Sequence, residues 1–232
     1  MKTLILTPTQ KEFDFFLQSY TRFGFNFENS KVGRLPTARL SQPEVTVALG
    51  GTGKAQFAVH AQHLLDTDGD WKLVICTGGA GGLVDEVIIG DVVVATTTVE
   101  HDYTNKFSQR PLPRFENDQD AISALRGTLL LPQPFRVHFG PVASGDEDVI
   151  EAERRRFLHQ STGALAVAWE GAGGARACAF SNIPFVEIRG VTDTANHDAP
   201  SDYDKNLELA MSNVARVIIS SLDGALGSRK VV

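Results

Sequence analysis

The residues of this chain that could do chemistry are polar side chains that follow short apolar runs. Glu12 comes one turn of helix after the first such run. Glu170 follows Val167, and Thr192-Asp193 follows Arg189. Ser144-Gly-Asp146 closes another run, and Gly50-Gly-Thr-Gly-Lys54 and Thr77-Gly-Gly-Ala-Gly-Gly82 close two more. In an open α/β sheet, ligands bind beyond the carboxyl ends of the strands. Carboxylates and an arginine from distant parts of the chain could therefore converge there, a combination suited to acid–base work. The glycine runs by themselves say little. Neither has the spacing of a phosphate-binding P-loop or of a dinucleotide fingerprint. They read either as tight strand-exit turns or as backbone that approaches a sugar or a water ligand.

The elements that would position these residues alternate. Strands are expected over 3–6, 45–49, 73–76, 91–95, 135–143, 164–167 and 185–189. A helix begins near Gln10 with Phe13, Phe16 and Leu17 on one face, and another follows Gly53 through Ala55, Val59 and Leu64. A Gly/Ala-rich helix starts near Glu170. The last helix covers about 203–222, with Leu207, Ala210, Met211, Val214, Val217, Ile218 and Leu222 in an apolar stripe at three- and four-residue steps. Strands in near-continuous apolar runs alternating with helices predict a three-layer α/β/α domain around a central mixed sheet. Neither an internal repeat nor a linker divides the chain, so residues 1–232 are expected to form one domain. The least regular stretch, 105–136, holds Pro111, Pro113, Pro132 and Pro134 and reads as a long, partly mobile excursion.

Composition narrows the partners. The 232 residues carry a net charge of −6 without a basic block, which argues against nucleic acid or an anionic membrane as partner. A small or neutral ligand fits better. Cys76 and Cys178 each sit in an apolar run and are expected to be buried thiols. The first apolar run is too short for a signal peptide, and no stretch of about 18 apolar residues exists to span a membrane. The cytoplasm is the expected compartment. The histidines lack metal-ligand spacing, so neither a metal nor an organic cofactor is expected.

An ordered set of segments carries a resemblance across nearly the whole chain outside 105–136. It comprises Gly51-Thr-Gly-Lys54, Cys76-Thr-Gly-Gly-Ala-Gly-Gly-Leu83, Ile89-Gly-Asp-Val-Val-Val94, His101-Asp102, Ser144-Gly-Asp146, Val167-Ala-Trp-Glu-Gly171 and Pro184-Phe-Val-Glu-Ile-Arg-Gly-Val-Thr-Asp193, with Glu12 in its place after the first strand. The set resembles the nucleoside phosphorylase/nucleosidase superfamily, and within it the branch of the 5′-methylthioadenosine/S-adenosylhomocysteine nucleosidases.

The resemblance implies cleavage of the ribosyl C1′–N9 bond of a purine nucleoside by water. That reaction must protonate the base, stabilise an oxocarbenium-like sugar and deliver water. Asp193 would carry the proton for purine N7, Glu12 would activate the water, Glu170 would bind the ribose hydroxyls, and Arg189 would orient Glu12 and the water. Gly79, Asp148, Val149, Trp169, Thr192 and His101 would line the substrate, with His101 on a loop that reaches the 5′ end of a substrate in a neighbouring subunit, implying a homodimer. Each assignment has a plainer counterpart. Asp193 could cap the next helix, Glu12 could be an exposed first-turn carboxylate, Glu170 a structural one, and Arg189 an ion-pair partner of Glu187. Trp169 could be core packing, and His101 part of an ordinary strand exit.

The departures from the family pattern fall on the pocket walls. Ala168 stands where a glutamate is usual, Trp169 where a methionine lies beneath the ribose, Gly79 where a serine is usual, and Asp148-Val149 where an aromatic flanks the base. Futalosine hydrolysis is a sister possibility, which Thr7-Pro-Thr9 and Phe185-Val-Glu-Ile-Arg189 resemble. Asp193 favours a 6-amino purine. Phosphorolysis would need arginines near Leu6-Thr-Pro-Thr9, where only Lys11 is close. A non-catalytic nucleoside-binding protein is a third class, against which the retained Glu12 and Asp193 argue.

Overall fold

The structure, a computed structural model, describes residues 2–40, 44–108, 110–128 and 133–224. Along the chain the strands are β1 (Thr3–Thr7), β2 (Phe27–Val32), β3 (Leu35–Leu40), β4 (Val45–Leu49), β5 (Leu73–Gly82), β6 (Val92–Glu100), β7 (Arg114–Glu116), β8 (Val137–Ser144), β9 (Ala166–Ala168) and β10 (Phe185–Asp193). The helices are α1 (Gln10–Arg22), α2 (Lys54–Thr67), α3 (Gln119–Thr128), α4 (Ala152–Thr162), α5 (Gly171–Ser181) and α6 (Ala199–Gly224). The strands form one mixed sheet in the order β10-β6-β8-β9-β5-β1-β4-β3-β2, with β7 beside β6.

Alternation along the central strands divides the apolar residues between two faces. Ile5, Leu73, Ile75, Val186 and Ile188 join Phe13, Phe16 and Leu17 of α1, Ile122 and Leu125 of α3, and the Leu207–Leu222 stripe of α6. Leu4, Leu6, Val74, Cys76 and Phe185 face Phe57, Ala61 and Leu64 of α2 and Ala175, Ala177 and Cys178 of α5. The three-layer expectation therefore holds, and both cysteines are buried and unpaired. Among the described residues no helix is long and apolar enough to cross a membrane.

The sheet also does something the sequence pattern does not announce. β10 pairs in parallel with β5 as well as antiparallel with β6. With β6–β8, β8–β9 and β9–β5 this closes a ring of five strands. Its interior is filled by small and branched side chains: Ala80, Val93, Ala95, Val142, Ala166 and Val191. The ring holds the ends of β5, β8, β9 and β10 together, so that residues far apart in sequence meet at one mouth.

Three expectations need correction, and one hairpin lies outside them. The glycines 78–82 are the second half of β5 rather than a turn after it, and Thr192-Asp193 ends β10 rather than following it. The hairpin β2–β3 is not evident from the sequence pattern, because its burial is partial and irregular. The stretch 105–136 is not wholly irregular. β7 pairs with β6, and Asp118 accepts a hydrogen bond from the Ala121 amide at 2.8 Å to open α3. Of that stretch, residue 109 and residues 129–132, Pro132 among them, lie outside the described ones.

The glycine-rich start of α5 has a packing cause. A Cβ on Gly173 would lie 2.3 Å from the Lys54 carbonyl oxygen of α2, and one on Gly171 would lie 2.2 Å from the Glu187 carboxylate. Small residues let α5 descend onto α2 and onto β10. We expect Gly173→Ala to cost a net 1–2 kcal/mol, roughly, because the backbone clash outweighs the ~1 kcal/mol gained in helix propensity. The denaturant midpoint measures this, and an unchanged or raised midpoint would show that α5 can shift freely.

Candidate active site

At the mouth of the ring lies a cavity of about 480 Å³, within the usual size range for small-molecule sites. Glu12, Glu170 and Asp193 all line it and all are buried. The predicted wall residues Gly79, Asp148, Val149, Trp169 and Thr192 line it too. Two further carboxylates stand on its rim, Glu147 and Asp148. Among the described residues, no lysine, arginine or histidine lines it.

Glu12 is fixed by its own helix. Thr9 is the N-cap of α1, and Glu12 is its N3 residue. The Thr9 amide and hydroxyl donate to Glu12 Oε2 at 2.8 and 2.6 Å, and the Glu12 amide donates back to the Thr9 hydroxyl at 3.2 Å. This is a reciprocal capping box. From the sheet, the Gly79 amide donates to Glu12 Oε1 at 2.8 Å. Glu12 is thus a first-turn carboxylate, but a buried one at 2% exposure whose two oxygens are both held. The close approach needs a glycine beside it. A Cβ at Gly78 would stand 2.7 Å from Glu12 Oε1 and 2.9 Å from Arg189 Nη1.

Asp193 owes its aim to a bulge. In the β10–β5 register, Val191 opposes Ala80 and Asp193 opposes Gly81, so Thr192 is an extra residue. The bulge turns both Thr192 and Asp193 to the cavity. The Thr192 hydroxyl donates to Asp193 Oδ2 at 2.7 Å, and the Ala195 amide donates to Oδ1 at 2.9 Å. Ala195 reaches that position in the left-handed region, at φ +48°. For a non-glycine residue this costs on the order of 1 kcal/mol. Burial raises the Asp193 pKa above the ordinary aspartate value, and the two hydrogen bonds only partly oppose it. Gly81 leaves room, since a Cβ there would lie 2.8 Å from Asp193 Oδ1.

Glu170 sits at the N-cap of α5. The Ser144 hydroxyl ties the turn before the helix, donating to the Trp169 carbonyl at 2.8 Å and accepting from the Ala172 amide at 2.9 Å. The Gly53 amide donates to Glu170 Oε1 at 3.2 Å, and Arg189 Nη1 lies 3.2 Å from Oε2. Burial pushes the Glu170 carboxyl up to about 7, with Arg189 opposing that rise and Glu12 adding to it. Trp169 is a wall residue rather than core packing alone. Its indole N–H donates to the Glu147 carbonyl at 3.0 Å, and the Glu147 carboxylate takes two 2.6 Å bonds from Arg154.

Two predicted residues lie off the cavity wall, which for His101, expected at a neighbouring subunit's substrate, is no departure. Arg189 is fully buried behind the cavity wall rather than on it, and its ion pairs go to Glu187 and Glu170. The plainer reading of Arg189 as a partner of Glu187 thus holds as well. His101 does not line the cavity of its own chain. Its buried ring lies against Gly145, with Nδ1 3.7 Å from Glu147 Oε2. Thr9 and Tyr203, both on the wall, are not among the site candidates that the sequence offers. Thr9 had a readable signal in the Thr9-x-x-Glu12 capping pattern; Tyr203, on the first turns of the last helix, had none. Among the described residues, no group of three or more histidine, cysteine or carboxylate side chains is placed to hold a metal ion.

With this geometry in view, the chain matches the family model of the phosphorylase superfamily over residues 2–223. It is 30% identical over 193 residues to a 5′-methylthioadenosine/S-adenosylhomocysteine nucleosidase of Shewanella loihica, covering 79% of this chain and 83% of that one. Among solved structures, it is similar to the Helicobacter pylori nucleosidase of the same name (TM-score 0.86, 27% identity, 96% and 98% of the two chains). It is similar to nearly the same degree to the futalosine hydrolase of Helicobacter pylori (TM-score 0.85, 26% identity, 96% and 97%).

Proposed function

The chain belongs to the phosphorylase superfamily, and on that premise we propose that it is a nucleosidase hydrolysing the N-glycosidic bond of a 5′-modified adenine nucleoside of the methylthioadenosine or S-adenosylhomocysteine type. The observation that carries this reading is the composition of the cavity wall: three buried carboxylates, Glu12, Glu170 and Asp193, and no cationic side chain among its described residues. Phosphorolysis requires a donor set that can hold a phosphate anion, usually with arginine. A wall of carboxylates repels one.

In this reading water attacks C1′ and Glu12 accepts its proton. The electron pair of the C1′–N9 bond leaves with the base, and Asp193 delivers a proton to purine N7. The products are free base and free sugar. A raised pKa suits Asp193 to hold that proton at neutral pH. Glu12, tied by Thr9 and Gly79, is preorganised to hold the water. Glu170 fixes the ribose hydroxyls. Arg189 does not touch the substrate; it acts as a positioning residue between the carboxylates.

The likeness to a futalosine hydrolase keeps a second substrate in play. Incubation with methylthioadenosine, S-adenosylhomocysteine, adenosine, inosine and futalosine, each with and without phosphate, tests the reading by chromatography. We expect free adenine from the 5′-thio substrates with phosphate absent. Release that requires phosphate would overturn hydrolysis, and release from futalosine alone would replace the substrate.

A further inference from the structure

Behind the cavity wall lies a buried charge cluster, one member of which, Glu187, has no part in the chemistry above. Glu187 is on β10, two residues before Arg189 and therefore on the same face of the strand. Both are 0% exposed. Every polar atom of Glu187's carboxylate and amide is spoken for. Oε1 accepts from Arg189 Nε at 2.8 Å, and Oε2 accepts from the Thr98 hydroxyl at 2.6 Å. The Glu187 amide donates to Asn117 Oδ1 at 2.6 Å, and Asn117 Nδ2 donates to the Thr98 hydroxyl at 3.2 Å. Gly171 lies close over the carboxylate, with no space for a Cβ between them. Glu187 does not line the cavity.

Arg189 distributes one positive charge. Its Nε goes to Glu187, Nη2 donates to Cys76 Sγ at 3.4 Å, and Nη1 is 3.2 Å from Glu170 Oε2. Nη1 makes no hydrogen bond among the described residues and shares the space above Gly78 with Glu12 Oε1. One guanidinium thus pairs with two carboxylates away from solvent, and a third, Glu12, lies near it across Gly78. Were all three ionised, two negative charges would stay uncompensated, a costly state in a buried site. The hydrogen bonds to the three are unequal. Glu12 accepts from three donors, and Glu187 accepts from a guanidinium and a hydroxyl. Glu170 has one long amide bond and the far edge of a shared arginine.

We propose that Glu187 is a positioning residue which, by claiming the Nε edge of Arg189, limits the arginine's hold on Glu170 and so governs whether Glu170 meets the substrate as an acid or as a carboxylate. This rests on the reading of Glu170 as the group facing the ribose hydroxyls, and it deepens that role. The protonated acid donates a hydrogen bond to a sugar oxygen, and the carboxylate accepts one from a sugar hydroxyl, so Glu187 sets which form meets the substrate. The other groups that face Glu170 do not compete for the proton. Cys76 of β5 is kept neutral because burial holds its thiol well above the usual range. Tyr203 of α6 is likewise raised by burial and neutral. Glu12 of α1 has both oxygens held by Thr9 and Gly79, and its proximity adds to the rise at Glu170.

The test is a carboxyl titration followed by NMR on protein labelled with ¹³C at the glutamate side-chain carboxyl. It needs no substrate, so it stands even if the nucleosidase reading fails. In the wild type we expect one glutamate resonance with a midpoint near neutral pH, absent from Glu170→Gln. In Glu187→Gln that midpoint should fall by about one pH unit or more, since the arginine's charge passes to Glu170. Glu187→Asp retains the charge but draws it back from the guanidinium, and should give a smaller shift in the same direction; it serves as the variant to measure if Glu187→Gln does not fold. An unchanged midpoint in a folded variant, or the lack of any glutamate titrating near neutral pH, overturns the proposal. If the enzyme is active, the pH dependence of KM should move with the same midpoint in Glu187→Asp, which a purely structural role would not produce.

Discussion

A Glu12→Gln variant should keep its fold and lose about 10²–10⁴-fold in kcat, the usual contribution of a positioned general base. The substitution is close to isosteric, and the capping box accepts glutamine as well as glutamate at its third position. Thr9 can still bond the amide oxygen at Oε2's place, where its amide and hydroxyl donors stand at 2.8 and 2.6 Å. The new NH₂ group then faces the Gly79 amide, which now donates to Oε1 at 2.8 Å. That donor–donor opposition should cost about 1 kcal/mol of stability. What is lost for catalysis is the ability to take a proton from water. KM should change little, because Glu12 is assigned to the water and not to the nucleoside. Steady-state kinetics alongside a thermal melt checks this. If kcat were retained within about threefold in a folded variant, Glu12 would be no more than a helix-capping residue.

The same carboxylate shows how much of this protein could be read from its residues. That Glu12 comes after β1, Glu170 after a later strand and Asp193 near the end of the last one followed from apolar runs and from a resemblance carried by ordered motifs. The length of the strands did not. Glycine is ordinarily a sign of a turn, so the run at 78–82 suggested that β5 stopped at Cys76. The run is extended strand because glycine is required there for another reason: Cβ atoms at Gly78 and Gly81 would crowd Glu12, Arg189 and Asp193. The bulge at Thr192 is equally invisible in sequence, since it depends on the register of β10 against β5. The β2–β3 hairpin lacks the clean apolar–polar alternation that marks a half-buried strand. The arginine's true partners also depend on this register. Arg189 and Glu187 are two apart on a strand and are expected as possible partners, but the reach to Glu170 exists only because the five-strand ring brings the start of α5, which follows β9, to β10.

The ring-held carboxylate at the other end of the site leads to the second large effect. Asp193→Asn should lower kcat by about 10²–10⁴-fold while making the protein more stable than the wild type at alkaline pH. Asparagine can keep both of the native contacts. Its oxygen accepts from the Ala195 amide, and its NH₂ donates to the Thr192 hydroxyl, which turns to donate to the Ala80 carbonyl already 3.2 Å away. The fold therefore loses little, whereas the proton destined for purine N7 is gone. The sign of the stability effect follows from the direction of the pKa shift. Burial raises the Asp193 pKa in the folded protein above its unfolded value. The folded state then holds the proton more tightly than the unfolded one, so the contribution of Asp193 is fully present below the unfolded aspartate value of about 3.9 and is lost as pH rises through the folded value. Asparagine carries no such loss. The denaturant midpoint of the variant should exceed that of the wild type at pH 8, and the gap should close as pH falls toward 4. In the wild type, kcat should decline as pH rises through the same folded value, because only the protonated acid can donate. A variant that is slower and also less stable at pH 8 would mean that Asp193 is held as an ordinary hydrogen-bonded carboxylate, and that the proton for the leaving base comes from elsewhere. A variant that is more stable yet equally fast would leave the environment of Asp193 as described and remove it from the chemistry. The two readouts thus separate the burial of this carboxyl from its use, which a rate measurement alone cannot do.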